Sequence, residues 1–292
     1  MATYIRGESV ANATTYELFE KVGNRYNSIA TNNEIDFHLE ELGIGYGTHT
    51  LAVKAKADGY MNSDYSNEVV YTKPLPSPLV DISMLDGKNM GWGGNTYMAV
   101  KSGNSEFSNG KFRALDSSGY LNIPIDFITS KTSKFTAFFV FDNWTRGNAK
   151  YGRFFRFNSD VPNMYLNDPS VTNGDFSIRF KLLNNFTTET AGYVNSSICL
   201  KEANSNYYYV PVRDSEKLAV AVRCDGTEYS FWKDGILVAK MPCTVSTPDG
   251  CTWTALSVGD EPQVYALGSF ECSKISLWDD ALTDDAMAAL VG

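Results

Sequence analysis

The chain has 292 residues, which is enough for one large domain or two modest domains, each with its own core. Its formal net charge of −9 leaves no basic stripe that could replace phosphate counterions, so we expect no nucleic-acid and no membrane partner. The 17 Tyr and 17 Phe residues, spread through short alternating apolar runs, predict an all-β protein.

The sequence predicts a small β domain over residues 1-73. The run Ala13 to Asn24 is typical of a strand that enters a turn, and Gly47 to Tyr60 alternates apolar and polar positions as a half-buried strand does. The segment GYMNSDYSNEVVYT, Gly59 to Thr72, resembles the end of a fibronectin type III-like or immunoglobulin-like module of phage structural and bacterial surface proteins. The resemblance implies a small sandwich that serves as a spacer. His49 stands where that family has its corner tyrosine, so either its ring makes the equivalent backbone hydrogen bond or the corner is absent.

A proline-rich linker follows at residues 74-78. KPLPSP, Lys73 to Pro78, holds three prolines, which disfavour both helix and central strand and keep two domains apart. The sequence therefore predicts a second, larger domain over 79-292.

The larger domain shows the pattern of a many-stranded sandwich. KFTAFFVFDNW, Lys134 to Trp144, is apolar on both faces, as a central strand is. The run LAVAVRCDGTEYSFWKDGILV, Leu218 to Val238, predicts three antiparallel strands joined by Asp-Gly turns. A meander of this kind cannot bury its apolar face alone, so a second sheet is expected.

Two segments of this domain resemble one known superfamily. The meander with its KDGILV turn is similar to the characteristic hairpin of concanavalin A-like lectins and glucanases, the laminin-G-like branch included. GSFECSKISLWDDALTDDAMAAL, Gly268 to Leu290, resembles that superfamily's closing strand and short helix. The resemblance implies a concanavalin A-like jelly-roll sandwich over 79-292.

The search for catalytic chemistry favours a protein that is not an enzyme. EIDFHLE, Glu34 to Glu40, resembles the paired-carboxylate strand of the glucanases, but its third acid is spaced too widely and it lies in the small domain. We interpret Glu34, Asp36 and Glu40 as solvated carboxylates. Both histidines, His38 and His49, also fall in the small domain, which leaves the large one without an imidazole for nucleophilic catalysis or a typical zinc site.

Aromatic residues on polar loops are the candidate ligand-binding groups. A ring stacks on the C–H face of a sugar while neighbouring polar groups bind its hydroxyls. The alternative is that these rings pack on the core or on another subunit. The candidate residues are Asn143, Trp144, Tyr165, Tyr207 and Tyr208.

No cofactor is expected, with calcium as the alternative. An oxygen-rich stretch resembles the rim sites at which relatives in the superfamily bind calcium, although its residues are also ordinary turn formers. The weak metal candidates are Asp160, Asn167, Asp168 and Asp175. The five cysteines fit buried free thiols, and a Cys243–Cys251 disulfide is a minor alternative.

The resemblances together imply a non-catalytic recognition protein, a fibre or appendage component of a bacteriophage virion that binds host-surface carbohydrate. The start MATYIRGESV lacks the apolar core of a signal peptide, which favours the virion over the bacterial cell surface. The expected partners are host-surface carbohydrate and other virion proteins, and the chain is expected to form a homo-oligomer. The alternatives are a structural decoration or assembly protein, a glycan-degrading enzyme, and a bacterial surface adhesin.

Overall fold

The computed structural model of the protein describes residues 3–128, 133–145, 151–159, 179–184, 196–201, 208–212, 217–242, 253–259 and 268–290. Their regular structure is almost entirely antiparallel strand, with one short α-helix within those ranges. None of the described helices is long and apolar enough to cross a membrane. The prediction of an all-β protein is confirmed.

Two compact units make up the chain. The first contains Met1–Pro76 together with Asp284–Leu290, and the second contains Ser77–Thr283. The division after Pro76 lies within the predicted linker 74-78. The C-terminal segment, which the sequence placed in the larger domain, groups with the first unit.

The first unit is built on a four-stranded sheet with strand order β3-β2-β5-β6 and a two-stranded sheet of β1 and β4. The strands are β1 (Tyr4–Arg6), β2 (Thr15–Val22), β3 (Arg25–Asn32), β4 (Asp36–His38), β5 (Gly47–Lys56) and β6 (Val69–Lys73). Leu51, Val53 and Ala55 of β5 are buried, as predicted, but Ala52, which the alternation placed outward, is buried as well. The first three share a core with Tyr16 and Phe37 of the neighbouring strands.

The second unit contains the remaining strands. They are β7 (Val80–Asp81), β8 (Val100–Ser102), β9 (Ser105–Ser108), β10 (Lys111–Ala114), β11 (Tyr120–Pro124), β12 (Phe135–Asp142), β13 (Tyr151–Arg153), β14 (Phe155–Ser159), β15 (Arg179–Asn184), β16 (Ser196–Lys201), β17 (Tyr208–Val212), β18 (Leu218–Cys224), β19 (Glu228–Lys233), β20 (Ile236–Pro242), β21 (Trp253–Val258) and β22 (Phe270–Trp278).

An eight-stranded sheet faces a four-stranded sheet in this unit. The larger sheet has the order β20-β19-β18-β12-β22-β10-β9 with β7 added on β22, and the smaller has the order β14-β21-β11-β8. A third sheet has the order β13-β15-β16-β17. The core lies between the first two: the ring of Phe139 on β12 stacks on Phe155 of β14 with centroids 4.2 Å apart. Burial of such rings between two sheets is the main source of stability in a sandwich.

The predicted meander forms as the sequence indicates. β18, β19 and β20 pair in order, and the turn at Asp234 and Gly235 takes positive φ angles of 49° and 74°. Asp and Gly tolerate this conformation better than other residues, which is why a two-residue turn of this composition joins strands tightly. β12 lies in the middle of the sheet between β18 and β22, so the prediction of a central strand is confirmed.

A short helix, α1 (Asp284–Ala289), closes the chain. Asp284 and Asp285 occupy its first turn, where the free backbone N–H groups favour negative charge. Ala286 and Met287 are buried.

Candidate functional site

The loop after β12 carries the predicted pair Asn143 and Trp144, and the structure separates their roles. Asn143 is exposed with φ at 46°, whereas the side chain of Trp144 is fully buried. The Trp144 ring meets Phe154 edge to face at 5.4 Å. The backbone N–H of Thr145 donates to the carbonyl of Ser269 at 2.8 Å, which holds the loop on the neighbouring segment and Trp144 in the core. The prediction that Trp144 offers its ring to a ligand is therefore corrected.

Asn143 joins an ionic network on the outer face of the large sheet. Its side-chain amide donates to Glu271 Oε2 at 2.9 Å. Lys111 Nζ lies 2.8 Å from the same oxygen and 3.3 Å from Asp142 Oδ2. Arg113 Nε contacts Glu271 Oε1 at 3.2 Å. One carboxylate on β22 thus connects strands β10 and β12 through charged hydrogen bonds.

This network keeps Glu271 ionised. The hydrogen bond from Lys111 is the largest influence on the pKa of Glu271 and lowers it; the bond from Asn143 acts in the same direction. A general acid needs a raised pKa, so Glu271 does not fit that role. Its contacts fit a strand-linking group.

The other predicted ligand-binding residues fall largely outside the part of the chain that the structure describes. Tyr165 and Tyr207 lie outside it, and Tyr208 begins β17 with its side chain not described. The weak metal candidates Asp160, Asn167, Asp168 and Asp175 and the cysteines Cys243 and Cys251 also lie outside the described residues. Among the residues that are described, no group of three or more His, Cys, Asp or Glu side chains is placed to hold a metal ion.

The carboxylates of the EIDFHLE segment are spread over separate contacts. Asp36 pairs with Arg6 at 3.0 Å, and Glu40 accepts the backbone N–H of Thr3 at 2.9 Å. That bond is the main reason that the pKa of Glu40 is lowered. Glu34 has no ion-pair partner among the described residues.

Both histidines make local contacts in the first unit. His38 lies between Glu40 and Glu41. His49 Nε2 lies 3.0 Å from the Gly45 carbonyl, so the expected backbone hydrogen bond is present, and Nδ1 lies 2.6 Å from Glu20 Oε1.

Trp92, which the sequence interpretation did not select, presents a highly accessible indole in the second unit. Its exposed fraction is 85%. Exposed apolar side chains lie on this segment and on the neighbouring segment around Ala99. The two segments are joined by a hydrogen bond of 2.9 Å from the Ala99 N–H to the Gly87 carbonyl. We call the set the Trp92 surface; it comprises Leu85, Met90, Trp92, Met98 and Val100. Where exposed apolar side chains adjoin one another, the surface is typical of a binding site.

The backbone around Trp92 is braced. Trp92 N–H donates to the Pro78 carbonyl at 3.0 Å, and Gly93 N–H donates to the Leu79 carbonyl at 3.0 Å. A Cβ at Gly91 would lie 2.6 Å from the Leu79 carbonyl oxygen, too close for any other residue. The loop is thus fixed independently of the Trp92 side chain, so its backbone loses little conformational entropy when the ring binds a ligand.

A polar group stands beside this loop. The ring of Tyr97 packs against Gly93, where an added Cβ would lie 2.5 Å from it. The pKa of Tyr97 is raised, first by burial and then by the negative charges of Asp126 and Asp279. The site therefore combines an exposed ring with carboxylates that accept hydrogen bonds.

The sequence does contain a signal for Trp92. In GWGGN, Gly91 to Asn95, a tryptophan is flanked by glycines, which offer it no side chain to pack against. Glycines next to an aromatic residue indicate a tight backbone approach. The ligand-binding candidates were selected because polar residues flank them, and Trp92 is flanked by glycines instead.

Known protein structures show similarity of fold. Trypanosoma rangeli sialidase in complex with 2,3-difluorosialic acid aligns with a TM-score of 0.58 at 10% identity, over 84% of this chain and 42% of that chain. The ligand binding domain of botulinum neurotoxin serotype D in complex with N-acetylneuraminic acid aligns with a TM-score of 0.51 at 8% identity, over 74% of this chain and 50% of that chain. The chain spans half or less of the length of these proteins. No protein-family model matches the sequence, and no curated protein is significantly similar to it.

These similarities correct one prediction. The expectation that the chain is not an enzyme is contradicted, because the similar folds include a sialidase. At such low identity the likeness concerns the fold, which supports both enzymes and binding domains. The β-sandwich architecture itself is confirmed.

Proposed function

We propose that this protein binds carbohydrate through the Trp92 surface. The observation that carries the proposal is the 85% exposure of an indole whose backbone is braced on both sides. A sugar ring presents C–H groups on one face and hydroxyls at its edge, so it matches an exposed ring with carboxylates close by. Asp126, whose negative charge acts on Tyr97 beside this loop, supplies an exposed carboxylate of this kind.

The fold supports the same class of ligand. One similar structure is a binding domain in complex with N-acetylneuraminic acid, and another is a sialidase in complex with a sialic acid derivative. Two proteins that share this fold over part of their length thus bind sugars, although fold likeness alone does not transfer a ligand.

The setting of the protein is a further part of the proposal. The resemblances of its sequence to a fibronectin type III-like module and to a concanavalin A-like sandwich support a virion fibre or appendage that contacts host-surface glycan. Other virion proteins and further copies of the chain are the partners that this setting requires.

A glycan array with the full chain tests the proposal. Wild type is expected to bind a defined set of glycans, and Trp92→Ala is expected to bind none of them. Trp92→Ala should keep the wild-type melting temperature, because the side chain is mostly exposed. A well-folded wild type that binds no glycan, or a Trp92→Ala variant that binds the same set, would refute it.

A glycan-degrading activity is the second candidate, favoured by the sialidase fold likeness. Asp142 and Glu271, which share Lys111, are a described pair of neighbouring carboxylates that such chemistry would need. The lowered pKa of Glu271 fits an anionic role there and leaves the acid to be supplied by another group. A fluorogenic sialoside incubated with wild type and with Glu271→Gln tests this candidate: release by wild type alone supports it, and no release by either rejects it for that substrate.

A further inference from the structure

The first unit contains a polar cleft that the Trp92 surface does not involve. It has a volume of about 440 Å³, within the range of small-molecule sites. It lies at one end of the small sandwich, between the segment after β1 and the segment before β4. The side chains that matter for its chemistry are Arg6, Ser9, Tyr16, Asn33, Glu34 and Ile35.

Tyr16, which lines the cleft, carries a buried hydroxyl with an unused hydrogen. Tyr16 is only 2% exposed, and its oxygen accepts the backbone N–H of Val10 at 2.8 Å. Among the residues that the structure describes, no acceptor is placed for the hydroxyl hydrogen of Tyr16. A buried donor costs free energy unless it finds an acceptor, so this hydrogen is available to solvent or to a ligand.

Arg6 supplies further hydrogen-bond donors to the cleft. Its Nε donates to Asp36 Oδ1 at 3.0 Å, and its guanidinium lies over the Tyr4 ring at 4.2 Å. A guanidinium has N–H groups on three nitrogens, and among the described residues the terminal nitrogens of Arg6 have no hydrogen-bond partner. Because Asp36 already balances the charge of Arg6, the pair attracts anions only weakly.

Glu34 gives the cleft its acceptor. The carboxylate is exposed and has no ion-pair partner among the described residues. With Arg6 and Asp36 paired, Glu34 leaves the cleft with a net negative charge. An anionic ligand is therefore disfavoured.

The hydrogen-bonding pattern narrows the ligand further. An ammonium group has donors but no acceptor, so it would match Glu34 and leave the donors of Tyr16 and Arg6 unmet. A hydroxyl both donates and accepts, and several hydroxyls on one small ring can serve both sets at once. Ile35 and the Tyr16 ring provide apolar surface for the C–H groups of such a ring.

We propose that this cleft of the first unit binds a neutral saccharide unit, with Tyr16 and Arg6 as donors and Glu34 as acceptor. The first unit is then a binding module rather than a spacer. This site is independent of the Trp92 surface, and each can fail without the other.

NMR titration of the isotopically labelled full chain tests this site. The probes are the methyl glycosides of glucose, galactose, mannose and N-acetylglucosamine, with lysine methyl ester and acetate as the cationic and anionic counter-probes. At least one glycoside is expected to shift the amide signals of Ser9, Asn33 and Glu34, and neither counter-probe is. The result that overturns the proposal is no shift with any glycoside, or shifts with the lysine ester alone.

Two charge-removing variants test whether the amide shifts arise from binding in the cleft. Glu34→Gln keeps the size of the side chain and is expected to weaken the glycoside about tenfold, because it removes a charged acceptor. Glu8→Gln makes the same change of charge at an exposed residue outside the cleft and should bind as wild type does. Equal affinity of Glu34→Gln and wild type would overturn the proposal. Trp92→Ala should leave these amide shifts unchanged, and their loss in that variant would assign the glycoside to the Trp92 surface instead.

Tyr16→Phe provides the second variant. It removes the hydroxyl but keeps the ring, and it leaves the Val10 N–H without its acceptor. Thermal unfolding establishes whether the variant is folded, and a folded Tyr16→Phe chain is expected to bind the glycoside several-fold more weakly. Unchanged affinity would remove Tyr16 from the site.

Discussion

Asn143 and Glu271 lie 128 residues apart in the chain and are joined by a hydrogen bond of 2.9 Å. The bond directs the Asn143 amide to the outer face of the sheet, while the next side chain, Trp144, lies in the core. Two adjacent residues that both suited a ligand site therefore serve the fold, one through charge and one through packing.

Trp144 should matter for stability. Because its indole is fully buried against Phe154, Trp144→Ala is expected to lower the free energy of unfolding by about 3–5 kcal/mol. Urea denaturation of the full chain measures this loss. Trp92→Ala is the matched control and should lie within about 0.5 kcal/mol of wild type. A similar loss in both variants would contradict the burial described here.

Glu271 should make stability depend on pH. Its pKa in the folded chain lies below its ordinary value, so the folded state favours the ionised form. The resulting stabilisation is present above the unfolded pKa of about 4.3 and is lost as the pH falls through the folded pKa. Glu271→Gln is thus expected to unfold more easily at neutral pH, by roughly 1–3 kcal/mol, with the difference from wild type narrowing in acid.

Glu106→Gln is the control for that experiment. Glu106 pairs with Arg113 at 3.0 Å, has no other ion-pair partner in the described part of the chain, and has a side chain that is 42% exposed, so its removal should change stability little. A pH-independent difference between wild type and Glu271→Gln, or an equal effect of the two variants, would refute the assigned role of Glu271.

Gly91 should be required for the geometry of the Trp92 loop. Gly91→Ala places a Cβ against the Leu79 carbonyl, which is backbone and cannot move aside. We expect this variant to bind the glycans found on the array more weakly although Trp92 is retained. Gly94→Ala is the control, because its Cβ meets open space and only the φ of 54° is unfavourable, at a cost of about 1 kcal/mol. Wild-type affinity of Gly91→Ala for these glycans would show that the fixed backbone of the Trp92 loop is not required for binding.

Cys272 should be inert in the folded protein. Burial raises the pKa of its thiol to about 12, and only the thiolate reacts rapidly with alkylating reagents. At pH 8 iodoacetamide should leave Cys272 unmodified in the native chain and modify it in denaturant, as measured by mass spectrometry of the peptide. Rapid native labelling would contradict the packing of β22.

The elements predicted well are those with local signals. The Asp-Gly turns specify the hairpins of β18 to β20, and the apolar residues on both faces of β12 indicate a central strand, because each pattern depends on residues close in sequence. The strand neighbours of β12 come from distant parts of the chain and could not be derived in the same way.

The candidate site was harder to predict because exposure is a property of the folded chain. Trp144 and Trp92 both follow turn-forming residues, yet one is buried and the other exposed. A contact with Ser269, far along the sequence, holds the Trp144 loop inward, and only the glycines around Trp92 indicated its exposure beforehand.

The most direct test of the account is a titration of the strongest array glycan into wild type, Trp92→Phe and Trp92→Ala. If the indole stacks on the sugar, Trp92→Phe should bind more weakly than wild type, and Trp92→Ala should lose about tenfold or more in affinity. Equal affinity for all three proteins, with folding intact, would contradict the central claim that Trp92 forms the carbohydrate site.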